Sequence, residues 1–146
     1  GMVVDQLFAR DYSEEKTVLE FSLDFLGRFS ALVTFNGRCF DIPYIIDRMT
    51  VWRIGGLNLE NHLDLLPLSR KMVRGSTPNH KLQTLERHLL GMKRVDDTPG
   101  HRIPEIYHDF VRTGDAAGIA GIIEHNRLDL VSMLRLVTLY LSGPLT

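Results

Sequence analysis

The chain has 146 residues, 44% hydrophobic and 24% charged, an ordinary globular composition and a length that fits one domain over residues 1–146. Seventeen Lys+Arg against eighteen Asp+Glu give a net charge of −1, so bulk basicity gives no argument for nucleic-acid binding, which would need a local patch. The single cysteine, Cys39, excludes an internal disulfide and a cysteine-based zinc site; no apolar run approaches a membrane span and the opening Gly1-Met2-Val3-Val4 lacks the regions of a signal peptide, so the expected setting is cytoplasmic.

Val3 to Phe8, short and β-branched, predicts a strand. Ser13 followed by Glu14 and Glu15 gives a hydroxyl cap with acids at the positive end of a helix dipole, and that helix is expected to run to about Arg28. Ala31 to Phe35 is a compact apolar run that predicts a buried strand, ended by Asn36-Gly37. A helix follows from about Asp41 to Met49, with Pro43 near its start, where proline is tolerated. His62 to Leu65 predicts a short strand, Leu66 to Val73 a short helix, and Lys81 to Leu90 a helix closed by Gly91. Asp96-Asp97-Thr98-Pro99-Gly100 has the chemistry of a loop. Pro104 to Arg112 predicts a helix, and Asp115 is placed to cap a long last helix reaching Leu141. Strands alternating with helices, then helices alone, argue an α/β fold with parallel strands in its later part.

Five groups of residues are candidates for chemistry. His125 and Asp129, four apart on the last helix, share a face. An imidazole beside a carboxylate suits metal binding and proton transfer from water, and it equally suits an ion pair on a solvated face. Asp41, after the Asn36-Gly37 loop, is either a helix cap or a metal carboxylate at the carboxyl end of a strand. His62 and Asp64 alternate along a strand and face one way, towards a cleft or an ordinary edge. Lys71, Arg74, Lys81 and Arg94 belong to a basic middle segment, which is either a solvated face or a phosphate-facing surface. Trp52 and Tyr44 have the rings to stack on a base, with core or edge packing the plainer reading.

Residues 32–43, Leu-Val-Thr-Phe-Asn-Gly-Arg-Cys-Phe-Asp-Ile-Pro, resemble the second motif of ribonuclease H-like 3′–5′ exonucleases, specifically those of the YprB-like branch. Leu82-Gln83-Thr84-Leu85-Glu86, Gly91, the run Arg94 to Gly100, and Ile103 to Tyr107 resemble the signature of that branch. Glu124-His125-Asn126-Arg127-Leu128-Asp129 resembles the third exonuclease motif. The resemblance implies a mixed sheet flanked by helices and hydrolysis of nucleic-acid phosphodiesters by two Mg²⁺ or Mn²⁺ ions held by four acids. It implies Asp41 and Asp129 as metal ligands and His125 as the group that orients or deprotonates water. Asn36 and Asn126 then act as supports, with His62 and Asp64 peripheral.

This sequence departs from the family pattern in two places. His125 precedes Asp129 by four residues, the spacing of tyrosine-type rather than histidine-type exonucleases. The first motif, Asp-x-Glu on the opening strand, is absent. Val3 to Phe8 resembles the family's third strand, so the sequence reads as N-terminally truncated, with the first two strands missing. Unpaired strand edges would then be expected to re-pair, or to be closed by a homodimer. The expected activity is metal-dependent 3′–5′ exonuclease hydrolysis of a single-stranded or 3′-ended nucleic acid. The alternatives are a non-catalytic nucleic-acid-binding or protein-interaction module, and a shortened gene product whose upstream codons hold the missing motif.

Overall fold

The architecture is that of a computed structural model, which describes residues 1–143. In chain order it runs α1 (Glu15–Leu26), β1 (Leu32–Thr34), α2 (Asp41–Trp52), β2 (His62–Asp64), α3 (Leu65–Val73), α4 (Leu82–Leu89), α5 (Ile103–Thr113) and α6 (Ile119–Leu141). Single 3-10 turns at Tyr12–Glu14 and Gly100–Arg102 lead into α1 and α5.

β1 and β2 pair in parallel, Leu32 opposite His62 and Thr34 opposite Asp64. Parallel neighbours need a crossover, and α2 supplies it. Asp64 ends β2 and caps α3, its Oδ1 accepting from Leu66 N at 3.0 Å. The same carboxylate accepts from Asn36 N at 2.7 Å and Arg38 N at 3.0 Å, which fixes the turn between β1 and α2. α1 is tied to α2 by Arg48, which grips both Glu15 oxygens at 2.6 Å, and by Trp52, whose indole N–H donates to Glu15 at 2.7 Å. Trp52 is therefore a packing residue, whereas the Tyr44 ring is exposed.

The core lies between α3, α4 and α6. Leu65, Leu85 and Leu136 are wholly buried, with Val73 and Tyr140 beside them and Val33 and Phe35 closing the cluster from the β1 side. Burial of each of these leucines contributes about 1.5–3 kcal/mol. The Tyr140 hydroxyl, deep in the same cluster, donates to Ser69 Oγ at 2.8 Å.

Three expectations are corrected. Val3 to Phe8 is not a strand, because no other described segment offers it a ladder. Side chains hold it in place of a ladder: Gln6 Nε2 donates to Ile123 O and to Asn126 Oδ1, both at 2.9 Å, and the Phe8 ring packs on Tyr107 and Phe110. The sheet among the described residues has two parallel strands, not the larger mixed sheet that the resemblance implies. The last helix starts later than expected, at Ile119, since Asp115 accepts from Ala117 N at 2.9 Å and spends its carboxylate on a preceding turn.

Candidate active site

α4 ends where Leu90 N and Met92 N both donate to Glu86 O, at 3.0 Å each. Gly91 between them takes φ 62°, a left-handed conformation that costs glycine little. The chain therefore doubles back, and Arg94 lies over the Glu86 side chain. Asp96, at φ 53°, turns it again, in a conformation that aspartate tolerates better than most residues. The loop then meets α6 at Gly121, where a Cβ would stand 2.5 Å from Thr98 Oγ1. That close approach brings Asp97 against His125, one turn further along α6.

The result is an interior charge network. The Arg94 side chain is 5% exposed and Glu86 1%. Arg94 Nε donates to Glu86 Oε2 at 2.8 Å, and its Nη2 to the other Glu86 oxygen. Nη2 also donates to Asp129 Oδ1 at 2.5 Å, and Nη1 to Asp97 Oδ2 at 3.1 Å. Gln83 Nε2 reaches the same Asp97 oxygen at 2.8 Å. Burial opposes the charge on Arg94, but the hydrogen bonds and charges of Glu86 and Asp129 outweigh it and hold its pKa above the ordinary value. Arg94 is a permanent cation among three carboxylates.

His125 and Asp129 come together as their spacing predicts. His125 Nδ1 lies 2.8 Å from Asp97 Oδ1, and Nε2 lies 3.6 Å from Asp129 Oδ2. Both residues line a groove of about 810 Å³ whose apolar walls include Phe8, Phe25, Leu26, Ile103 and Ile122. Asn126 lies beside them, with its Oδ1 taken by Gln6.

The other sequence candidates lie elsewhere. Asp41 is the exposed first residue of α2 and does not line this groove. Asn36 takes φ 62° in the turn after β1, its N–H held by Asp64. His62 Nε2 pairs with Thr34 Oγ1 at 2.9 Å, so His62 and Asp64 hold the βαβ unit together. Lys71, Arg74 and Lys81 are exposed around the end of α3 and the start of α4. Arg94, grouped with them by sequence, is interior and fully engaged. Among the described residues no three His, Cys, Asp or Glu side chains converge so as to hold a metal ion. Asp129 offers one oxygen, the other being held by Arg94. Two dications need many more oxygens, so the side chains gathered here do not make up a two-metal centre.

Sequence reasoning gave Glu86, Gln83 and Asp97 no chemical role. Glu86 carried a usable signal. It falls on the stripe of α4 that also holds Leu82, Leu85 and Leu89, and a carboxylate on a buried stripe requires a buried counter-charge.

No helix of the described residues is long and apolar enough to cross a membrane. The family model described as RNase_H superfamily matches residues 1–141. The uncharacterized protein YprB of Bacillus subtilis (strain 168) is 33% identical over 109 residues, which are 73% of this chain and 26% of that protein. The aligned region thus spans about a quarter of the relative's length, and no solved structure matches. On these similarities the chain belongs to the RNase H superfamily, as a YprB-like member.

Proposed function

We propose that this chain carries part of the site of a 3′–5′ exonuclease acting on single-stranded or 3′-ended nucleic acid, with His125 and Asp129 at its centre. The observation that carries the reading is the 3.6 Å approach of His125 Nε2 to Asp129 Oδ2 at the wall of an open groove. In a superfamily of nucleases, an imidazole beside a carboxylate is suited to take a proton from water attacking phosphorus. The water oxygen bonds phosphorus and its proton passes to Nε2. The P–O3′ bond breaks with its electron pair on the 3′ oxygen, which takes a proton from solvent.

RNase H-like nucleases generally use divalent metals. Asp129 Oδ2 and the exposed Asp41 are the carboxylates proposed to meet Mg²⁺ or Mn²⁺, and with so few ligands the affinity of this chain is weak. Lys71, Arg74 and Lys81 are proposed to face the phosphates, a contact that salt would weaken. The test is hydrolysis of a 5′-labelled single strand with Mn²⁺ or EDTA, beside Asp41→Ala and Asp129→Ala. Metal-dependent shortening, lost in both variants, is the expected result. No cleavage above the variants would favour the non-catalytic binding module instead.

A further inference from the structure

His125 Nδ1 faces two groups of opposite kind. It is 2.8 Å from Asp97 Oδ1 and 3.4 Å from Arg94 Nη1. A carboxylate only accepts and a guanidinium only donates, so Nδ1 can serve one of them. The contact to Asp97 is much the shorter, and a carboxylate acceptor makes it the stronger. Nδ1 therefore carries a hydrogen, and the lone pair of the neutral ring is on Nε2, beside Asp129.

We propose that Asp97 is a positioning residue that holds His125 in the Nδ1–H tautomer, with Nε2 left bare towards Asp129 Oδ2 and the groove. The proposal deepens the hydrolytic reading and rests on it for the use of Nε2. The orientation of Asp97 is set from behind. Its Oδ2 accepts from Arg94 Nη1 at 3.1 Å and Gln83 Nε2 at 2.8 Å, which leaves Oδ1 for the ring.

The Asp97→Asn variant separates this role from mere packing, because shape is kept and donor pattern is not. With two donors behind it, the amide oxygen that the substitution introduces must turn to Arg94 and Gln83. The NH₂ of the same amide then points at Nδ1, which becomes an acceptor, and the ring hydrogen moves to Nε2. The nitrogen that should take the proton from water is then blocked.

The experiment is nitrogen-15 NMR of the histidine rings, in the neutral form, with His125 identified by the resonance lost in His125→Gln. The expected result is the Nδ1–H tautomer in the unsubstituted chain and Nε2–H in Asp97→Asn, in a variant that still melts cooperatively. In the cleavage assay kcat falls about 10²–10⁴-fold with KM little changed, the range for loss of a general base. An Nε2–H ring in the unsubstituted chain overturns the proposal, and that measurement stands even if the variant fails to fold. So does an Asp97→Asn ring that keeps Nδ1–H. The rings report without substrate, so the expected tautomers in a chain that cleaves nothing would sink the hydrolytic reading and leave the assignment of the tautomer intact.

Discussion

Arg94→Met removes one guanidinium and strands three carboxylates. Glu86 has a side chain 1% exposed, against 12% for Asp97 and 33% for Asp129. The last two can recruit water, so most of the cost falls on Glu86, which cannot. Breaking a buried pair by removing one partner costs about 3–5 kcal/mol. That is a large part of the roughly 5–15 kcal/mol that holds a domain folded, and it lowers Tm by roughly 10 °C in a chain of this size. Urea unfolding followed by circular dichroism measures it, provided the m-value is unchanged. The same reasoning predicts rescue. Glu86→Leu in the Arg94→Met background replaces the pair by apolar groups of similar volume, and stability returns to within about 1–2 kcal/mol of the unsubstituted chain. A cost below about 1 kcal/mol for Arg94→Met, or a double variant no better than the single one, would refute the claim that Glu86 and Arg94 are an interior pair.

Asp64 should dominate the acid limb of stability. Burial pushes its carboxyl up, but backbone N–H groups of Arg38, Leu66 and Asn36 outweigh burial and hold it below the usual range. A carboxyl depressed on folding stabilises above its unfolded pKa of about 4, and that stability fades as pH falls further. Asp64→Ala is expected to cost about 2–4 kcal/mol at pH 7 and much less at pH 2–3 in urea unfolding, whereas equal losses at both pH values would contradict this. Gly121→Ala pushes the Thr98 side chain away from α6 and is expected to cost about 1–3 kcal/mol and to speed amide exchange over residues 95–98. Ala120→Ser at the exposed neighbouring position should stay within about 0.5 kcal/mol; similar effects at the two sites would argue against a tight loop contact. Millimolar Mg²⁺, or EDTA, should leave Tm unchanged within about 1 °C, since a weakly held ion adds little to stability; a rise of several degrees with Mg²⁺ would reveal a tighter set of ligands.

The helices and the βαβ unit were legible because their signals are local. Gly91 closes a helix where periodicity fails, and Asp41 opens one after a turn. The i to i+4 spacing of His125 and Asp129 likewise survives into the structure as a shared face. What the sequence hid depends on partners distant along the chain. Val3 to Phe8 has the composition of a strand, but a strand also needs a neighbour, and its side chains dock on α5 and α6 instead. Arg94 looked like one of a basic run because charge counting ignores which way the chain turns. Gly91 folds it inwards onto Glu86, eight residues back. The Asp97 contact with His125 joins residues 28 apart and depends on a glycine at 121, which no periodicity reveals.

Whether His125 and Asp129 form a working hydrolytic centre is decided by cleavage of a single strand labelled at its 5′ end, with the unsubstituted chain beside His125→Gln. The expected product is a ladder shortened one nucleotide at a time from the 3′ end, formed about 10²–10⁴-fold more slowly by His125→Gln while the fold is retained. No shortening beyond that of Asp129→Ala, or a rate unmoved by His125→Gln, would contradict that role.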